Sequence, residues 1–262
     1  MPKRNTRSPL KGQPLHNPAE SLEQRRSDLI FDHVLTPLLI TAAFCVMAFT
    51  EWWGYLTHTP RQPQFYTLIL LLAIIYSVWR IIRVKPELSR LRLGIQGEKA
   101  VGQYLERLRE QHYQVFHDVG GPGFNLDHVL IGPAGIFTVE TKTLSKPTHR
   151  DAKIVFDGEG ILVDGHELER NPVVQARAEA RWLRELLKES TGRTFDVRPV
   201  VVFPGWWIEQ RPGSTRDIWV LEPKALPGFL SGEPPALVPE DVKLASFHLS
   251  RFAQTQDTHG GE

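Results

Sequence analysis

Three charged side chains, Asp127, Glu140 and Lys142, lie close together in an otherwise apolar part of the sequence. Glu140 and Lys142 end the stretch "GIFTVETK", whose other residues are typical of a buried strand. Carboxylate oxygens are the ligands that Mg²⁺ prefers, and a bound Mg²⁺ activates water for attack on a phosphate. A neighbouring lysine can orient or deprotonate that water, or neutralise the developing charge. These residue types therefore favour metal-dependent hydrolysis of a phosphate ester.

A predicted β-hairpin brings these side chains together. "NLDHVLIG" (125–132) and "IFTVETK" (136–142) have the composition of two strands, and the short "PAG" between them is typical of a tight turn. In an antiparallel pair the start of the first strand lies beside the end of the second. We therefore expect Asp127 to meet Glu140 at one edge of the sheet.

The alternation of side chains along a strand places Glu140 and Lys142 on one face, with Thr141 on the other. The alternative is an ordinary salt-bridged strand edge, because surface ion pairs are common and contribute only about 0–1 kcal/mol. The buried-strand residues before Glu140, and the aspartate one hairpin earlier, favour a functional site over that alternative.

Two predicted helices flank this hairpin in the sequence. Residues 93–113 carry an apolar stripe at helical spacing, and their glycines indicate close packing against another backbone. Glu98 lies in this glycine-rich part and is expected either near the strand edge or on a solvated helix face. Residues 171–191 predict a strong helix, with Pro172 in its first turn and Gly192 after its end.

The remaining segments complete a mixed α/β domain. They predict a strand at 114–119, a hairpin at 152–165, strands at 197–204 and 217–222, and a last helix at 238–255. This order predicts a central sheet flanked by helices.

Other side chains that could bind metal or bases have simpler explanations. His117, His128 and His149 show no His-x-x-His spacing, and His128 should face away from Asp127 on its strand, so we interpret them as structural. Trp206 and Trp207 could stack on nucleic-acid bases. Packing of their loop against the domain or near a membrane is the favoured interpretation.

Two apolar runs near the N-terminus predict a transmembrane helical hairpin at 31–86, with spans at about 34–53 and 65–84. Val34–Thr50 contains no charged residue, and aromatic residues lie at the ends of both runs, as in membrane-interface belts. The alternative is a pair of buried core helices in a soluble protein. A cleaved signal peptide is disfavoured because a second span follows the first directly.

The distribution of charge sets the expected orientation. Residues 1–92 carry 12 Lys and Arg against 6 Asp and Glu, whereas residues 93–262 carry 19 against 24. Basic residues cluster before the first run and after the second, while the loop between them has only Arg61. The positive-inside rule then places both ends in the cytoplasm of a multi-pass protein of the inner (plasma) membrane. Residues 1–30 are predicted to form a disordered basic tail.

The mildly acidic part beyond residue 92 excludes binding of nucleic acid by bulk charge alone. Such binding would need a local basic patch or a metal ion. Cys45 is the only cysteine, so no intrachain disulfide can form, and a reducing compartment fits.

Three segments together resemble the nuclease-related domain (NERD) family: "GIQGEKAVGQYL", "NLDHVLIGPAGIFTVETK" and "NPVVQARAEARWLRELL". The resemblance covers about residues 92–205, and residues 206–262 are expected to complete the domain. That family is placed in the PD-(D/E)xK superfamily. The resemblance therefore implies a restriction-endonuclease-like α/β core, a central mixed sheet flanked by helices, preceded here by the two transmembrane helices.

The resemblance also implies roles for matched positions. It assigns metal binding to Asp127, to Glu140 and to the backbone carbonyl of Thr141. It assigns a catalytic site to Glu98, Asp127, Glu140, Lys142 and Gln175. For Gln175 the alternative is a solvent-facing helix residue, and Asn171 is better explained as the helix N-cap.

We therefore expect a membrane-anchored nuclease that uses Mg²⁺ or Mn²⁺ to hydrolyse phosphodiester bonds, with DNA favoured over RNA. The alternative is a catalytically inactive scaffold that binds nucleic acid or a protein at the membrane. A transport role is disfavoured, because the apolar runs Val34–Thr50 and Phe65–Ile82 contain no charged residue except Arg80 at the boundary.

Overall fold

The structure is a computed structural model that describes residues 15–57, 62–146, 152–168, 170–211 and 217–256. The chain divides into two compact units. The first, which we call the helical unit, is Ser21–Ile95. The second, the α/β unit, combines Met1–Glu20 with Gln96–Glu262.

The helical unit contains a pair of long helices. Helix α1 (Glu20–Ile30) continues through a π-helical turn into α2 (Thr36–Leu56), and α3 begins at Pro63 and ends at Leu105. Polar side chains join α2 to the first part of α3. The Thr41 and Ser77 hydroxyls lie 2.8 Å apart, and the indole N–H of Trp52 donates to Thr67 Oγ1 at 2.9 Å. These contacts hold the two helices side by side.

Two helical stretches, Glu20–Leu56 and Pro63–Gln111, are long and apolar enough to cross a membrane, judged by length and composition. A core helix of a soluble protein passes the same test but buries most of its apolar window. Here only 6% of each window is buried within the protein. Both predicted spans, 34–53 and 65–84, fall within these stretches.

The prediction of a disordered tail at 1–30 differs from the structure over its last part. Residues 20–30 form α1, whereas residues 1–14 lie outside the described residues. "ESLEQRRSDLI" consists mostly of residues that favour a helix. The Glu20 carboxylate also accepts a 2.8 Å hydrogen bond from the Asn17 N–H, which fixes the start of the helix.

The α/β unit contains two sheets within the described residues. The strands are β1 (Gln114–Gly121), β2 (Phe124–Gly132), β3 (Gly135–Thr141), β4 (Lys153–Phe156), β5 (Ile161–Val163), β6 (His166–Glu167), β7 (Val197–Val202), β8 (Trp207–Gln210) and β9 (Trp219–Leu221). The larger sheet has the order β1-β2-β3-β7-β9. Its first three strands pair antiparallel, and β3, β7 and β9 pair parallel.

Helices cover both faces of the larger sheet. The last turns of α3, with α5 (Leu226–Gly232), pack on one face, and α4 (Pro172–Thr191) with α6 (Pro239–Gln256) packs on the other. Strand β3 lies at the centre of the sheet and is buried at every position. A strand covered on both faces is expected to be mostly apolar, which explains most of β3 and makes the buried Glu140 an exception. The predicted α/β architecture with helices flanking a mixed sheet is confirmed.

The smaller sheet was only half predicted. The hairpin at 152–165 appears as β4 and β5, but β8 pairs parallel to β4 where a loop was expected. Trp206 is buried, and its indole N–H donates to the Leu144 carbonyl at 3.3 Å. Trp207 is 73% exposed. The two neighbouring tryptophans therefore differ, since the first packs in the core and the second starts β8 facing solvent.

Helix α4 has the predicted ends. Asn171 is its N-cap, and the Asn171 side-chain oxygen accepts a 2.9 Å hydrogen bond from the Val173 N–H. Gly192 ends the helix with φ of 70°, a left-handed conformation that favours glycine. The structure thus supports the N-cap interpretation of Asn171.

Candidate functional site

The site lies where β2 and β3 part. The antiparallel register pairs His128 with Val139, so Asp127 and Glu140 occupy the next positions at the end of the ladder. The backbone N–H of Thr141 donates to Asp127 Oδ2 at 2.7 Å. This hydrogen bond ties the Asp127 side chain to the end of β3. The predicted meeting of Asp127 and Glu140 follows from this register.

Glu140 is the centre of the cluster, with 3% of its surface exposed. Its Oε1 accepts hydrogen bonds from Lys142 Nζ at 2.5 Å and from Gln175 Nε2 at 2.9 Å. Its Oε2 is buried and has no hydrogen-bond partner among the described residues. A buried carboxylate oxygen without a partner is costly, so it points to a missing proton or cation.

Helix α4 supplies an amide that links the charged groups. Gln175 Oε1 accepts from Lys142 Nζ at 3.1 Å, and Gln175 Nε2 donates to Glu140 and to Glu179 Oε1 at 2.9 and 2.8 Å. Gln175 therefore faces the site, and the alternative of a solvent-facing helix residue is wrong. Its amide fixes the Glu140 carboxylate and the Lys142 ammonium relative to each other.

Glu98 reaches the site because α3 lies directly against the chain after β3. A Cβ at Gly97 would overlap Oγ1 of Thr143, and it would lie 2.7 Å from the Thr143 Cβ. Only a glycine allows this approach of helix and chain. Glu98 follows immediately, is 8% exposed, and lies close enough to Glu140 and Lys142 to interact with them electrostatically. The alternative of a solvated helix face is therefore wrong.

Gly97→Ala is expected to destabilise the α/β unit by about 1–3 kcal/mol, because the new methyl group must displace Thr143. The measurement is the urea midpoint of the full chain in detergent. Gly228→Ala is a matched control, since a Cβ there meets no atom within 4 Å. Adding Thr143→Gly to the Gly97→Ala variant should restore much of the lost stability. Equal midpoints for the two single alanine variants would contradict the close approach.

The electrostatics of the site are those of an acidic cluster with too few cations. Burial, then Asp118 and Glu140, raises the pKa of Glu98 to about 8. Burial, then Glu140, raises the pKa of Glu179 to about 8. Burial, Glu140 and Glu98 likewise raise the pKa of Asp127 well above its usual value. These carboxyls therefore hold protons more tightly than free carboxyls do.

Lys142 is the ammonium facing this cluster. Burial lowers the pKa of Lys142, but the neighbouring Glu140 carboxylate outweighs burial, and the net pKa is raised. Lys142 is therefore charged at neutral pH, with 29% of its side chain exposed. A single positive charge cannot balance several buried carboxylates, so without a bound cation most of these carboxyls keep their protons at neutral pH.

The cluster fits a hard divalent cation by its chemistry, although its atoms are not gathered around one. Within the ranges that the structure describes, no three His, Cys, Asp or Glu side chains are arranged to hold a metal ion. The unpartnered Glu140 Oε2 and the excess of carboxylates are nevertheless what a divalent cation would satisfy. Asp127 and Glu140, the two predicted carboxylate ligands, are both in this cluster, and Thr141, whose carbonyl is the third predicted ligand, bonds Asp127 through its backbone N–H.

The histidines form a separate buried pair. Nδ1 of His117 and Nδ1 of His128 are 2.9 Å apart, and His117 Nε2 lies 2.8 Å from Glu106 Oε1. Burial lowers the pKa of both rings, so they are neutral at pH 7. This arrangement agrees with their interpretation as structural residues. His149 lies outside the described residues.

The structure thus joins Asp127, Glu140, Lys142 and Gln175 through hydrogen bonds that include the backbone of Thr141, and it places Glu98 beside them. Sequence reasoning missed two acidic residues. Asp118 on β1 is buried, has φ of 49°, and interacts electrostatically with Glu98. Glu179 lies on the buried face of α4, and an acidic residue within that apolar stripe was the signal that could have revealed it.

Comparison with known proteins gives one match. Residues 93–204 match the family model of the nuclease-related domain (NERD). The matched range contains the whole of the cluster described above and nearly coincides with the predicted range of 92–205. Searches among curated proteins and among solved structures found no match.

Proposed function

Starting from this nuclease-related domain, we propose that the chain is a membrane-anchored, metal-dependent nuclease that hydrolyses phosphodiester bonds in DNA or RNA. The observation that carries the proposal is Glu140, buried at the end of a core strand. One of its carboxylate oxygens has no partner among the described residues, and the other is bonded to Lys142. A cation held there by Asp127, Glu140 and the Thr141 carbonyl would supply an activated water and neutralise charge on the phosphate.

The protein's own residues would hold and orient the reacting groups. The Lys142 ammonium remains protonated because Glu140 raises its pKa, so it acts as a hydrogen-bond donor rather than as a base. In that state it can orient the attacking water and offset negative charge on the phosphate oxygens. Gln175 keeps the ammonium in place through its amide oxygen. The tie between Asp127 and the Thr141 N–H fixes the first carboxylate at the strand end.

A direct assay tests this proposal. The full chain, purified in detergent, is incubated with single- and double-stranded DNA and RNA in Mg²⁺, Mn²⁺ or excess chelator. Cleavage that requires Mg²⁺ or Mn²⁺ supports the proposal, and preference for DNA supports the expected substrate. Absence of cleavage of all four substrates with either metal would contradict it.

The helical unit is proposed to anchor this domain in the bilayer, with both chain ends on the cytoplasmic side. Large apolar side chains cover the outside of α2 and of the first part of α3, for example Phe49 at 66% and Ile75 at 65% exposed. Water would solvate such a surface poorly, whereas lipid chains would cover it. The basic residues that flank the two spans fit a cytoplasmic location.

Washing isolated membranes with alkaline carbonate is expected to leave the chain in the membrane pellet, because the two apolar helices are embedded in the bilayer. A variant lacking residues 31–86 should move to the supernatant. The fraction in each is measured by immunoblot of an epitope-tagged chain. Release of the full chain by carbonate would contradict the anchor.

A second candidate function is a scaffold that binds nucleic acid without cutting it. One observation favours it: Lys142 already neutralises one oxygen of Glu140, and no described group of side chains is arranged around a metal ion. Binding of labelled DNA that survives removal of all divalent cations, with no cleavage in their presence, would support the scaffold over the nuclease.

A further inference from the structure

One buried carboxylate of the cluster has no role in the proposed nuclease. Glu179 lies on α4 one helical turn after Gln175, and only 3% of its surface is exposed. Its neighbours on the same helix face are apolar, with Ala176 before it and Leu183 after it. An apolar side chain would pack at such a position without any cost of burying charge.

Among the described residues, the polar contacts of Glu179 are with members of the cluster. Gln175 Nε2 donates at 2.8 Å to Glu179 Oε1 and at 2.9 Å to Glu140 Oε1, so one amide nitrogen bridges two carboxylates. The Glu140 carboxyl group also acts on Glu179, because its negative charge adds to burial in raising the pKa of Glu179. Glu179 therefore belongs to the same polar site as the predicted ligands.

A neutral amide donor does not compensate a buried negative charge. The ammonium of Lys142 faces Glu179 but is already bonded to Glu140 and Gln175. The other charged groups coupled to this site are acidic and come from α3, β1 and β2: Glu98, Asp118 and Asp127. In the part of the chain that the structure describes, Lys142 is the positive group that acts on Glu98, Asp127 and Glu179 alike, and it is already bonded to Glu140.

A second observation independently points to a cation. Glu140 Oε2 is buried and unpartnered among the described residues, in the carboxyl group that shares the Gln175 amide with Glu179. We propose that Glu179 is a further carboxylate ligand of the divalent cation, contributed by α4 opposite the end of β3. This inference rests on the proposed function, because it assigns a ligand to the cation of that site.

Binding of Mn²⁺ alone, without nucleic acid, tests the inference. Free Mn²⁺ is measured by electron paramagnetic resonance during titration of the full chain in detergent. Glu179→Gln preserves the size of the side chain and is expected to weaken binding about 10- to 100-fold. Glu185→Gln, on the exposed face of the same helix, is the matched control and should bind as the unaltered chain does.

A purely structural role for Glu179 would act through Gln175. Gln175→Ala removes that bridge and keeps Glu179, so it should weaken Mn²⁺ binding less than Glu179→Gln does. Equal losses in these two variants would overturn the ligand role. Near-ultraviolet circular dichroism checks that each variant is folded. If Glu179→Gln does not fold, Glu179→Asp, which retains the charge on a shorter side chain, should bind more weakly than the unaltered chain.

The role of Glu179 and the cation site itself can be contradicted by different results. If the unaltered chain binds Mn²⁺ and Glu179→Gln binds within twofold of it, the role of Glu179 is overturned while the proposed nuclease stands. If the unaltered chain does not bind Mn²⁺ at all, the cation site itself is overturned, and the role of Glu179 is overturned with it.

Discussion

Replacement of Glu140 by glutamine is expected to lower the rate of metal-dependent cleavage by at least about 100- to 1000-fold. The substitution keeps the shape of a side chain that is almost fully buried, so packing changes little. It removes the negative charge that would hold the cation and that pairs with Lys142. The measurement is the single-turnover rate on the best substrate of the direct assay, at saturating Mg²⁺.

Companion variants separate charge from packing. Lys142→Ala should lower the rate by a similar order, because it removes the donor that offsets charge on the phosphate. Glu185→Gln leaves the cluster untouched and should cleave as the unaltered chain does, since its side chain is exposed on α4. Cleavage that survives both Glu140→Gln and Lys142→Ala would show that the reaction takes place elsewhere.

The hairpin that carries the site was predictable because its signals are local. Alternation, the short "PAG" turn and the antiparallel register together fix which side chains are neighbours, so Asp127 and Glu140 could be placed side by side from the sequence. The N-cap at Asn171 and the left-handed Gly192 follow from equally local rules. Each of these elements is determined by residues that lie only a few positions away in the sequence.

Features that depend on distant contacts were not predictable in this way. The parallel pairing of β3 with β7 joins segments about 60 residues apart in the sequence, and β4 pairs with β8 across a similar separation. Neither pairing leaves a local pattern, which is why β8 was expected to be a loop. Residues 20–30 were predicted as part of the disordered tail because they are polar, although their helical propensity is high and they form α1.

The residues of the site also divide into those that local sequence patterns predict and those that depend on distant contacts. Gln175 could be assigned to the site only through the family resemblance, since the helical pattern around it left a solvent-facing position open. Glu179 was missed because its importance depends on which face of α4 packs on the sheet, and that is set by tertiary contacts. The restriction-endonuclease-like core stays a prediction, while the α/β architecture itself is observed.

Stability of the metal-free chain is expected to fall as pH rises from about 7.5 to 8.5, through the raised pKa values of two buried carboxyls. The pKa values of Glu98 and Glu179 are raised to about 8 in the folded state from an ordinary value of 4.5. Between these values the folded state binds more protons than the unfolded state, so the free energy of unfolding decreases with pH. Each such carboxyl contributes a slope of at most about 1.4 kcal/mol per pH unit.

The pH window begins above the range in which the buried histidines change the stability of the chain. The pKa values of His117 and His128 are lowered below 6.5 by burial, so they make the chain more stable as pH rises in the acid range. Above about pH 7.5 both rings are almost entirely neutral in the folded and unfolded states, because the ordinary pKa of histidine is 6.5. The slope between about pH 7.5 and 8.5 therefore reports the acidic cluster.

Thermal midpoints of the full chain in detergent, followed by near-ultraviolet circular dichroism at several pH values, measure this slope. Glu179→Gln should flatten it, because that variant no longer has to lose a proton as pH rises. Saturating Mg²⁺ should also flatten it, since a bound cation replaces the protons in stabilising the carboxylates. A midpoint that is independent of pH across this window without metal, or unchanged by both the variant and Mg²⁺, would contradict a buried excess of negative charge. The flattening by Mg²⁺ should be absent in Glu140→Gln, because a cation that acts through this site needs the Glu140 carboxylate.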